Sequence, residues 1–307
     1  MKNHLFTVLT YFGYFSYTPS FDEIYTFFPH KIGKEALQSC IDKEVAAKTI
    51  RRILINKEFR LFKQSLLNLN FEPEFPRYTL PQYSIKTNKI LNIKNQNVNK
   101  WRKKTIQRYI EILQAFPFVR FVGVTGTSAM RRLQENDDLD LCIVTKHGLV
   151  WTARFFTVIV AKMLGIHTYT GVCLNLFFDE ADLIIPRKKH NSYIAHELLQ
   201  MKPIIDKDGI YQRFLEENKW IYTFFPNAPY VIPTHSNSVQ APVGIQKRKL
   251  YRSRIKFGMT QGIDRLFKLI QLPIIYRNRA AFYITPTQLW LFKNDFEKKL
   301  KRSGLVI

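Results

Sequence analysis

The stretch that most constrains this chain is residues 122–145, VGVTGTSAMRRLQENDDLDLCIVT. An apolar β run at 121–124 meets a small-residue turn, Gly126-Thr127-Ser128, and passes into the helix-prone residues 129–133. After a polar loop the chain re-enters a strand through Asp138-Leu139-Asp140-Leu141-Cys142-Ile143-Val144. Strand side chains alternate between faces, so Asp138 and Asp140 project to one side and Leu139, Leu141 and Ile143 to the other. Two carboxylates therefore stand side by side.

Carboxylates two apart on a strand suit Mg²⁺, a hard cation usually held by one or two carboxylates together with substrate phosphates. The Gly-Thr-Ser turn supplies a complementary part, because backbone N–H groups at a helix start and short hydroxyl side chains accommodate phosphate oxygens. Taken singly each half is common, and Asn136-Asp137-Asp138 also fits a solvated turn. Their order and spacing within one strand-turn-helix-loop-strand unit favour a metal-nucleotide site. Gly126, Thr127 and Ser128 are the candidates for the phosphates, and Asp138 and Asp140 for the metal.

With Gly126, Thr127, Asp138 and Asp140 in these positions, the chain resembles the polymerase-beta-like nucleotidyltransferase superfamily. It is most similar to bacterial proteins that join a winged-helix-like segment to such a core. The runs TGTSAM at 125–130, GLVWTAR at 148–154, CLN at 173–175, AHELLQMKP at 195–203 and NKW at 218–220 carry the likeness over about two thirds of the chain. The resemblance implies a magnesium-dependent transfer of a nucleoside monophosphate from a nucleoside triphosphate to an RNA or protein hydroxyl, with release of pyrophosphate. It also implies a third carboxylate on the strand at 170–178, where this sequence aligns Asn175. A neutral ligand there weakens metal binding and removes a candidate base for the attacking hydroxyl. Asp179 and Asp182 are the substitutes within reach in sequence.

Charge bears on partners. Lys and Arg number 47 against 24 Asp and Glu, a formal charge of +23, which favours polyanionic partners, either nucleic acid or an anionic membrane surface, with a solvated basic surface as the alternative. Cys40, Cys142 and Cys173 are widely spaced with no CxxC, so neither a disulfide framework nor a zinc site is indicated and a cytoplasmic setting is expected. His196-Glu197 lacks the second histidine that i, i+4 zinc ligation requires. The most apolar window, 150–165, contains Arg154 and Lys162 and is too short to span a bilayer, so it reads as a buried helix and a membrane partner is not expected.

The expected architecture is α+β in four parts. Residues 1–85 form a winged-helix-like unit, with helices ending near Gly13, starting at Thr18-Pro19, and running from about Gly33 to Lys48; 77–83 is a candidate wing strand. A docking module touching only protein is the alternative. Residues 86–116 read as a basic linker leading into a helix whose Trp101, Thr105, Arg108 and Ile112 share a face. Residues 117–185 form the nucleotidyltransferase mixed-sheet core, and 186–307 a helical, basic C-terminal region, with a helix over 264–275 interrupted by Pro273. Arg131, Arg132 and Arg154 are the basic residues near the candidate site. Besides catalysis, the sequence is compatible with a non-catalytic nucleic-acid-binding or regulatory protein on a degenerate transferase scaffold.

Overall fold

A computed structural model describes residues 1–53, 76–83, 100–130, 138–167, 171–230, 248–278, 281–292 and 296–305. Much of the basic linker, together with Arg131 and Arg132, lies outside these residues. In chain order the elements are α1 (Lys2–Tyr14), α2 (Phe21–Thr26), α3 (Lys34–Ala46), β1 (Arg51–Ile53), β2 (Arg77–Thr79), α4 (Lys100–Ala115), β3 (Val119–Val124), α5 (Gly126–Met130), β4 (Leu139–Thr145), α6 (Val150–Met163) and β5 (Val172–Asp179). There follow α7 (Ser192–Gln200), β6 (Lys202–Asp206), α8 (Ile210–Glu217), α9 (Ile221–Phe224), α10 (Arg248–Asn278), β7 (Ala281–Ile284), β8 (Gln288–Phe292) and α11 (Phe296–Arg302).

The centre is a six-stranded mixed sheet in the order β6-β3-β4-β5-β8-β7. Only β4 and β5 pair in parallel; the other neighbours are antiparallel. Both sheet faces are covered, which the alternation of β4 makes possible. Leu139, Leu141 and Ile143 join a buried cluster with α4, α6 and Ile275 of α10. Cys142 and Val144 face the opposite cluster, formed with α1 to α3 and α7 to α9. Asp140 lies on this second face, so its carboxylate opens toward the layer that contains α7.

Among its described residues the N-terminal part has the helices α1, α2 and α3 and an antiparallel pair, β1 with β2. Its core residues Leu5, Phe12, Ile24, Leu37 and Ile41 belong to the same buried cluster as Phe121, Cys142 and Phe178 of the sheet. It is docked on the sheet, with Asn227 clamping the backbone of His30 and Ile32. The start of α2 differs from the expectation at Thr18. Ser20 is the cap: its Oγ accepts from Glu23 N–H and Glu23 accepts from Ser20 N–H, the reciprocal capping box. Tyr78 N–H donates to the Pro19 carbonyl, so residues 19 and 20 are held extended against β2 and the helix begins later.

Two further expectations need correction. The sheet does not end at residue 185: β6, β7 and β8 come from the C-terminal region expected to be helical. β6 carries Pro203 and tolerates it because it pairs on one side only, next to an irregularity in register between Val122 and Gly123. Among the described side chains of α4, Arg102, Ile106, Tyr109, Ile110 and Leu113 are buried and Arg108 is exposed, a division the sequence reading did not address. Pro273 does not interrupt α10, which runs through it to Asn278. The proline forgoes one backbone bond, while Gln271 and Ile275 on either side are buried and Gln271 holds the helix to α6 by donating to the Trp151 carbonyl and accepting from Arg154.

Candidate active site

The site forms where β3 ends, because the chain must turn sharply there. Thr125 N–H still donates to the Asp140 carbonyl at 3.0 Å, extending the β3-β4 ladder by one residue. Gly126 then takes a left-handed backbone, φ 64°, which a side chain disfavours. Space forbids one as well: a Cβ at this position would lie 2.7 Å from Asp140 Oδ2. The glycine thus lets the carboxylate approach the turn. Ser128 Oγ donates to the Asp138 carbonyl at 2.8 Å, tying α5 to the start of β4.

Asn175 comes from the parallel neighbour. Asp140 is opposite Cys173 and Cys142 opposite Leu176, so the register slips by one residue at Asn175. The irregularity aims its side chain at the acidic strand, where Nδ2 donates to Asp140 Oδ1 at 2.7 Å. Gly126, Thr127, Asp138, Asp140 and Asn175 line one cavity of about 260 Å³. Five of the six residues singled out from the sequence therefore meet at one opening. Ser128 is half-buried beside it and spends its hydroxyl on the turn itself.

The walls further along the sheet face are apolar: Leu176 and Phe178 of β5, Trp290 and Phe292 of β8, Phe214 of α8 and Phe15 at the end of α1. Glu197 and Tyr193 of α7 complete the polar side. Glu197 Oε2 accepts from Gly126 N–H at 2.8 Å and Oε1 from Gln200 Nε2 at 2.9 Å. Burial pushes its pKa up to about 7, against the lowering effect of these two bonds. Sequence reading missed Glu197 as a site residue. Its only signal was an acidic residue within an otherwise apolar helix face, 71 residues from Gly126.

The other candidates fall elsewhere. Asp179 is buried and accepts from Gly148 N–H, Ala181 N–H and His147 Nδ1, while Asp182 accepts from Thr287 Oγ1, so neither replaces a carboxylate at Asn175. Arg154 lies on α6, across the sheet from the cavity, and donates to Gln271 Oε1 of α10. Among the described residues no group of three or more His, Cys, Asp or Glu side chains is placed to hold a metal ion. Asn175 turns its Nδ2 toward Asp140 and its Oδ1 accepts from Cys173 Sγ at 3.3 Å, so it is not placed as the expected neutral ligand and the donor set is the two carboxylates of Asp138 and Asp140. It suits Mg²⁺ arriving with phosphate oxygens and water, not a metal caged by protein alone. Among the described residues no helix is long and apolar enough to cross a membrane. No protein-family model matches the chain, and no curated protein or solved structure matches it either.

Proposed function

We propose that the chain is a magnesium-dependent nucleotidyltransferase. The observation that carries this reading is the convergence of the Gly126 turn with Asp138, Asp140 and Asn175 at one cavity mouth. Mg²⁺ bound there would neutralise phosphate charge and stabilise the charge developing during displacement at the α-phosphorus. Asp138 and Asp140 would hold it, with the Asn175 amide orienting the Asp140 carboxylate through Oδ1. The turn at Gly126 and Thr127 bounds the space for the triphosphate. An acceptor hydroxyl would bond through its oxygen to the α-phosphorus and release its proton to solvent water, as the bond to the α,β-bridging oxygen breaks and pyrophosphate leaves. The acceptor is an RNA or protein hydroxyl, and the +23 charge of the chain favours a polyanion nearby.

Incubation of the protein with each α-labelled nucleoside triphosphate, Mg²⁺, total RNA and cell extract tests this. Label should pass to an acceptor with the parent chain and not with the Asp138→Asn/Asp140→Asn variant. Asn175 favours a second reading, a nucleic-acid-binding or regulatory protein on a degenerate transferase scaffold. That reading expects no transfer by either chain and equal, salt-sensitive nucleic-acid binding by both.

A further inference from the structure

The run Ala195-His196-Glu197-Leu198-Leu199-Gln200 has no part in the reaction as written above, yet in the fold it becomes a chain of hydrogen bonds ending at the catalytic turn. His196 Nδ1 lies 2.9 Å from Gln200 Oε1, Gln200 Nε2 donates to Glu197 Oε1 at 2.9 Å, and Glu197 Oε2 accepts from Gly126 N–H at 2.8 Å. Since the Gln200 oxygen accepts, His196 carries its proton on Nδ1. The far end is anchored in the N-terminal helices: the His196 ring stacks on Phe27 at 3.7 Å between centroids and lies 4.3 Å from Tyr11. Gly126, at the near end, is flanked on its other side by Asp140 Oδ2.

We propose that Glu197, buttressed by Gln200 and His196, is a positioning residue for the transfer reaction: its carboxyl pins the Gly126 turn against Asp140 and so fixes the spacing between the phosphate-bounding turn and the metal-holding pair. This rests on the reading of Asp138 and Asp140 as that pair. Glu197 is no third metal ligand, because among the described residues no group of three acidic, His or Cys side chains is placed for one. Both its oxygens are engaged by protein donors, Gly126 N–H and Gln200 Nε2, which is what a strut requires. It also lines the cavity beside both aspartates. The role needs an acceptor for the Gly126 N–H; it does not need a proton acceptor. Glutamine at 197 can fill it, its oxygen accepting from Gly126 N–H while its amide donates to the Gln200 oxygen once the Gln200 side chain turns over and His196 carries its proton on Nε2; alanine cannot.

The test compares the full-length parent with E197Q, E197A and Gln200→Ala, reading Gly126 amide hydrogen exchange by NMR and, separately, label transfer. In E197A the Gly126 amide should lose protection and kcat should fall about 100-fold with little change in KM, the size expected when a reacting group is misplaced by about 1 Å. E197Q should keep amide protection and stay within about fivefold of the parent, since one hydrogen-bond acceptor replaces another. Gln200→Ala, which removes only the buttress, should fall between them and guards against E197A failing to fold. Unchanged Gly126 exchange in E197A overturns the proposal. So does E197Q that keeps the amide protected yet is as slow as E197A, which would make Glu197 a proton acceptor. If the parent transfers no label, the transferase reading fails and takes the catalytic role with it. If parent and E197A transfer equally, the inference alone fails.

Discussion

The parallel strands β4 and β5 carry an aspartate at each end of their pairing, Asp140 near the start of β4 and Asp179 at the end of β5, and use them in opposite ways. At the C-terminal end Asp179 is 1% exposed and accepts from Gly148 N–H at 2.7 Å, Ala181 N–H at 2.9 Å and His147 Nδ1 at 3.0 Å. It organises the loop between β4 and α6. At the N-terminal end Asp140, on the neighbouring strand, is half-buried, accepts from one side-chain amide at 2.7 Å and lines the cavity. A carboxylate surrounded by backbone donors is a structural anchor, because those N–H groups lose their partner if it is removed. One that faces a cavity beside a second carboxylate is placed to hold a ligand.

That contrast can be broken most directly by exchanging the residues' chemistry. Asp140→Asn should reduce nucleotide transfer at least about 1,000-fold, or ~4 kcal/mol in activation free energy, while changing unfolding free energy by less than about 1 kcal/mol. Asp179→Ala should do the reverse. It strands the Gly148 N–H before α6 and the Ala181 N–H after β5, so denaturant unfolding should show a loss of about 2–4 kcal/mol, with transfer per folded molecule unchanged. A large stability loss in the first variant, or a large specific-activity loss in the second, would erase the distinction between the two ends.

Gly126→Ala sharpens the comparison by disturbing the Asp140 end without touching its charge. The left-handed backbone costs about 1–2 kcal/mol with a side chain, and the new Cβ would meet Asp140 Oδ2, which lies 2.7 Å from that position. Melting should record the first effect, and a roughly tenfold slower transfer the second. The smallest effect concerns how dry the protein is behind the cavity. Burial lowers the His196 pKa to about 3 from 6.5, so the folded chain resists a proton that the unfolded chain accepts. Its contribution is present above the unfolded value and is lost as pH falls from 6.5 toward 3. Glu197, raised from 4.5 to about 7, acts oppositely: its contribution is present below 4.5 and lost as pH rises through 7. His196→Gln should therefore differ from the parent in the slope of stability against pH below 6.5 by up to about 1.4 kcal/mol per unit. Equal slopes in urea titrations at pH 4 to 6.5 would mean the ring is solvated.

The acidic strand was legible because its evidence is local. Alternation alone separates Asp138 and Asp140 from Leu139, Leu141 and Ile143, and a glycine before a short helix marks the turn. Asn175 was reachable by the same reasoning, since it alternates on the strand expected beside the acidic one. What sequence did not reveal depends on contacts between distant residues. Glu197 meets Gly126 across 71 positions, and nothing in the spacing of α7 indicates that partner. The strands β7 and β8 sit in the region expected to be helical and basic, yet Leu289, Trp290 and Leu291 are buried in the sheet, where β8 pairs with β5. Pro203 similarly disguised β6, because a proline argues against a strand unless that strand lies at an edge. The helix through Pro273 shows packing outweighing a local preference.

Titration of the parent chain and of Asp140→Asn with nucleoside triphosphates, with and without Mg²⁺, tests the central claim most directly. The account predicts Mg²⁺-dependent binding by the parent, weakened at least tenfold, ~1.4 kcal/mol, in the variant. Binding of equal strength by both chains, or binding indifferent to Mg²⁺, would contradict it.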